Sequence, residues 1–124
     1  MPLIQQPIPQ VTPDDVDRIV RRDFSADEYV AVMTILDAYG AENWQRERAR
    51  VQLAALKVAN RSAQKLHDCI ESAKRDYRDI LAIAEYPAYC KIGWSQIKNL
   101  SAEEQNRVIE GDRLQYEDWL KQLV

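Results

Sequence analysis

His67 is the single histidine of the chain, and Asp68 and Cys69 follow it directly. A histidine base beside a cysteine nucleophile is the pairing that acyl-transfer chemistry uses. Consecutive helical residues point about 100° apart, so these three side chains diverge. A Cys–His pair would need Cys90, brought in from across the fold. Asp76 and Asp79 are three residues apart, but Asp76 is read at the edge of an apolar stripe and Asp79 on the wet side, which disfavours a shared metal. The chain has no His-Glu-x-x-His, no Glu-x-x-His and no EF-hand loop, and its three glycines do not form a phosphate-binding loop. We therefore assign no catalytic residue and expect no cofactor and no metal.

Two other constellations fit binding better than catalysis. Arg46, Arg50, Lys57 and Arg61 share a narrow sector of one predicted helix, with Leu53 between them. Residues 41–61 hold five basic and two acidic residues, whereas 25–40 carry a net −3. The basic stripe either pairs with acidic neighbours such as Asp37 or Asp76, or receives an anion or an acidic partner. A nucleic-acid groove is disfavoured, because no aromatics interleave the stripe to stack bases. Asp76 lies at the edge of an apolar stripe, in line with Cys69 and Ile83, and is the buried polar candidate. If buried, it needs donors. The second constellation is Tyr86-Pro-Ala-Tyr-Cys-Lys-Ile-Gly-Trp94. Tyr86, Tyr89 and Trp94 are side chains that anchor interfaces. The competing reading is that these rings plug one end of the helical body.

The elements that must position these residues are helices. The chain has 124 residues, 46% hydrophobic and 30% charged, the balance of a globular domain. Thr12 precedes Pro13, Asp14 and Asp15, which is an N-cap followed by proline at the first helical position. Ser25-Ala-Asp-Glu28 and Ser101-Ala-Glu-Glu104 are capping boxes. The first opens an apolar helix that ends near Tyr39, with Gly40 beyond it, and this is the expected central helix. A third helix is expected from about Glu42 to Ala59, with Asn60 closing it. Ser62 caps a fourth, running unbroken to about Glu85 and stopped by Pro87. Along it Leu66, Ile70, Ala73, Tyr77, Ile80 and Ala84 recur at spacings of 4, 3, 4, 3 and 4, the stripe of a core-facing helix. Arg75, Arg78 and Asp79 fall on its wet side. Residues 87–100 read as irregular. The last helix runs towards Leu123, with a bend expected at Gly111.

The reading is an all-α, single-domain compact bundle of about five helices over 13–124, preceded by an extended proline-rich arm over 1–12. The net charge of −3 and pI of about 5.2 argue against nucleic acid or an anionic membrane as the main partner. The N-terminal MPLIQQPIPQ has neither the basic residues nor the apolar run of a signal peptide. Cys69 and Cys90 lack the spacing of a disulfide framework or a zinc site, which points to the cytoplasm.

AKRDYRDILAIAEYP (residues 73–87), with the preceding QRERARVQLAALKVAN, resembles a family of small bacterial helical proteins of unassigned function. The resemblance covers roughly residues 14–95. It implies a bacterial, cytosolic, helical protein and carries no catalytic residue with it. The functional expectation is a non-catalytic interaction module, an adaptor or an inhibitor or immunity-type partner of another protein. Its contact residues would be Tyr86, Tyr89, Trp94, Arg46, Arg50 and Lys57. A homodimer through Trp119, Leu120 and Leu123 is a further expectation. The alternative is a small-molecule or anion-binding protein, or an enzyme, using Arg46, Arg50 and Asp76.

Overall fold

The computed structural model describes residues 8–42 and 47–122, apart from the side chain of Trp94. Arg46, Leu123 and the first seven residues of the expected arm lie outside the described residues. Eight α-helices and one 3-10 turn follow, with no strand among the described residues. They are α1 (Pro13–Asp23), the 3-10 turn Ala26–Glu28, α2 (Tyr29–Asp37), α3 (Arg48–Ala59) and α4 (Ala63–Arg75). Then come α5 (Tyr77–Glu85), α6 (Pro87–Ile92), α7 (Trp94–Ile97) and α8 (Ala102–Lys121). The all-α reading stands; the number of helices is corrected.

The caps are where the sequence puts them. Asp15 accepts from the Thr12 N–H at 2.9 Å, and Glu28 accepts from the Ser25 N–H at 3.1 Å. The Ser62 hydroxyl accepts from the Lys65 N–H at 3.2 Å, and that of Ser101 from the Glu104 N–H at 3.1 Å. Each satisfies a donor that a helix start leaves unpaired. Asn60 closes α3 in the left-handed conformation, φ 49°, which asparagine tolerates better than most residues. Gly40 has φ +106°, and a Cβ there would stand 2.7 Å from the Arg48 side chain, so glycine is required twice over.

The central helix is α3, not α2. Val51, Leu53, Ala54, Ala55, Leu56 and Ala59 are all buried. The three alanines let α1, α4 and α5 approach α3 from several sides. Val30 of α2 is instead 74% exposed, because a helix of nine residues at the edge of the body has only one neighbour-facing side. α3 also starts later than expected, since Glu47 before it has φ 58° and cannot continue a right-handed helix.

The long fourth helix is two helices. Asp76 adopts φ −157° and ψ 104°, ending α4 and capping α5. The apolar stripe survives the break: Leu66, Ile70, Ala73, Ile80 and Ala84 are buried, and Tyr77 packs partly buried against the same core. Among the described residues no Arg75–Asp79 ion pair spans the break, and Glu71 pairs with Lys74 at 3.0 Å. Residues 87–97, read as irregular, hold two short helices: α5 ends at Glu85, and Pro87 is the first residue of α6 rather than the start of a loop.

No bend occurs at Gly111: α8 is continuous for 20 residues, and nothing stands within 4 Å of a Cβ built there. Gly111→Ala is expected to raise stability by about 0.5–1 kcal/mol, since alanine removes unfolded-state freedom at no steric cost. A denaturant midpoint at or below wild type would show that α8 is not regular at this residue.

Candidate functional site

Among the described residues four polar residues are buried as a whole, Gln52, Glu85, Gln105 and Asp112, and the side chains of Arg22 and Asp23 are buried as an ion pair at 2.8 Å. Gln52 donates to the carbonyls of Leu36 (2.9 Å) and Tyr39 (3.3 Å), closing the end of α2. Gln105 donates to the Leu100 carbonyl at 3.1 Å. Asp112 of α8 accepts from the N–H groups of Ala88 (2.9 Å) and Tyr89 (3.0 Å), the first turn of α6. Gln115, one turn along, donates to the carbonyls of Ala84 (3.2 Å) and Glu85 (3.4 Å), the last turn of α5. α8 therefore holds both sides of the α5–α6 corner. A carboxylate facing helix N–H groups also opposes the positive end of that helix.

Glu85 completes the corner. Its two oxygens take the fork of Arg50 at 2.6 and 2.7 Å, with side-chain exposures of 3% for Glu85 and 17% for Arg50. Arg50 is therefore no free anion receptor. Arg48 pairs with Asp37 at 2.8 Å and Arg61 approaches Asp23 at 3.6 Å, both from exposed positions. Lys57 is half-buried, and burial pushes its ammonium down.

Asp76 is partly exposed, and its donors come from its own helix rather than from α3. It accepts from the Arg78 N–H at 3.0 Å and from the Arg78 guanidinium at 2.8 and 2.9 Å. Those bonds hold its carboxyl at about 2, below the ordinary 3.8. The cap thus contributes fully above the ordinary carboxylate range and is lost only as pH falls towards 2. The buried-carboxylate expectation belongs to Glu85 and Asp112 instead. Neither was singled out in the sequence, since the partners of both are distant in the chain.

At the corner, Tyr86 and Tyr89 are half-buried and meet edge to face, with ring centroids 6.0 Å apart. Ala88, Cys90 and Lys91 stand exposed beside them. Cys69 is buried and Cys90 exposed, both free. Burial, with Asp112 nearby, pushes the Cys90 thiol up. Trp119 is engaged within the chain, under the Arg22 guanidinium at 5.1 Å and against Tyr116 at 5.7 Å. Among the described residues, no group of three His, Cys, Asp or Glu is placed to hold a metal, and no helix is long and apolar enough to cross a membrane.

No protein-family model, curated protein or solved structure matches this chain.

Proposed function

We propose that the protein is a non-catalytic binding module that docks another protein through the α5–α6 corner. One observation carries this reading: Asp112 fixes the start of α6 from outside the helix while Ala88, Cys90 and Lys91 face solvent. A surface held rigid before binding loses less entropy when it docks, and tyrosines with few rotatable bonds are suited to such contacts. The interior charges of this region are engaged in closing helix ends or in one another, which favours binding over acid–base work. It also speaks against an anion site built on Arg50 and Asp76. The role fits an adaptor or an inhibitor of another protein, and two free thiols suit a reducing cytoplasm. A homodimer through Trp119 and Leu120 would compete with contacts those residues already make in the chain.

The test uses Cys90 as a handle. A maleimide-benzophenone label attached at mildly alkaline pH should modify Cys90 and spare buried Cys69. Illumination in a lysate of the native host should give a discrete cross-linked species. Tyr89→Ala/Lys91→Glu, with an unchanged melting profile, should abolish it. No discrete adduct from wild type, or the same adduct from the variant, would remove this corner as the docking surface.

A further inference from the structure

Residues 8–11 precede α1 as a strap outside any helix, and only apolar contact holds them to the body. Val11 packs partly buried against the core, while Ile8 is 54% exposed. Among the described residues, the one hydrogen bond of the strap is internal, from Gln10 Nε2 to the Ile8 carbonyl at 3.3 Å. Pro9 has no N–H to offer. The seat is also narrow. One cavity, of about 310 Å³, borders the strap against α5 and α8, and another, of about 370 Å³, borders it towards residues 47–50. The next residue is firmly placed: the Thr12 N–H donates to the Asp15 carboxylate at 2.9 Å, which ties Thr12 to α1. A loosely seated strap is thus joined without slack to a fixed helix start.

We propose that the strap is exchangeable: the groove between α5 and α8, lined by Tyr86, Ile109 and Leu120, receives residues 8–11 of a second copy in place of its own, and two chains pair by trading straps. The occupant is specified by the segment already seated there. Exchange asks for no new contact, because each groove ends up filled by the same four residues, and the pair is two-fold symmetric. Opening breaks no hydrogen bond between strap and body, so its cost is the apolar contact of Val11 and the groove wall. The closed chain wins when dilute, since a directly tethered segment acts at an effective concentration on the order of millimolar. Exchange takes over as the chain concentration approaches that value, so pairing responds to local crowding. Leu120 keeps its contacts in such a pair, supplied in kind by the second copy. The groove is separate from exposed Ala88, Cys90 and Lys91, so this proposal and the docking corner can fail independently.

The test is cross-linking of the full chain in a Cys90→Ser background, with bismaleimidoethane as the linker. Gln10 and Lys121 are both exposed and both line the cavity, so cysteines there report a seated strap at little cost to the fold. Gln10→Cys/Lys121→Cys should link within one chain when dilute. A mixture of the single variants Gln10→Cys and Lys121→Cys should give a 10–121 link between chains, identified by mass spectrometry. Its yield should climb as the protein is concentrated towards roughly millimolar. Leu114→Cys, exposed on α8 but away from the cavity, measures chance collision, and the 10–121 yield should exceed it by about tenfold once the chain approaches the effective concentration of its own strap. Val11→Asp in the Gln10→Cys chain should remove the link and leave the helical spectrum unchanged. Three results overturn the proposal: no 10–121 link between concentrated chains, a yield equal to that of Leu114→Cys, or an undiminished link with Val11→Asp. Failure of the double variant to link within a chain also overturns it, because the strap would then not be seated in its groove.

Discussion

Glu85→Ala is expected to destabilise the protein by about 3–5 kcal/mol, measured by denaturant unfolding. The variant leaves the Arg50 guanidinium, 17% exposed, with only Glu47 at 3.7 Å for company. Removing one partner of a buried pair costs more than the pair itself contributes, because the survivor is desolvated and uncompensated. The double variant Arg50→Met/Glu85→Leu removes both charges and fills similar space, so it should recover most of the loss. A double variant as unstable as Glu85→Ala would mean that the damage lies in packing at the end of α5 rather than in an orphaned charge.

Asp112→Ala is the second large effect, at about 2–4 kcal/mol. Two backbone donors, Ala88 N–H and Tyr89 N–H, lose a charged acceptor in a part-buried site. α6 is only six residues long and has no side-chain cap from its own preceding residue, Tyr86, so nothing local replaces the bonds. Asp112→Asn keeps one acceptor oxygen and should cost less. Amide exchange at Ala88 and Tyr89 should quicken in both variants ahead of the rest of the chain. Wild-type exchange there in Asp112→Ala would show that α6 is closed by something else, and the rigid corner would lose its support.

Local signals were legible in the sequence and distant ones were not. Thr12, Ser25, Ser62 and Ser101 cap the starts of their helices with partners three residues away, so residue type and spacing sufficed. The apolar stripe through Leu66, Ile70 and Ile80 was right even though the helix carrying it breaks, because both halves face one core. The break at Asp76 had a signal, an aspartate able to cap, but the unbroken apolar period outweighed it. Pro87 was read as an ending, although the same proline suits the first position of a new helix. For the candidate site the case is harder. Glu85 and Arg50 are 35 residues apart, and Asp112 and Ala88 are 24 apart. Nothing in the pattern of either segment distinguishes these charges from solvated ones. Tyr89 and Arg50 were visible as residue types, but not the fact that Arg50 is already occupied.

Arg22 donates to the carbonyls of Trp119 and Gln122, across separations of 97 and 100 residues. Its side chain and that of Asp23 are nearly inaccessible, 4% and 3% exposed. The first helix thus closes a loop around nearly the whole chain, while α3, α4 and α5 meet through much shorter ones. Loop-closure entropy rises with the length enclosed, so the central trio is expected to assemble before this clasp does. Folding should then run from the middle of the chain outwards. Substitutions at Arg22 should speed unfolding while leaving the folding rate nearly untouched, the kinetic signature of a contact made after the transition state.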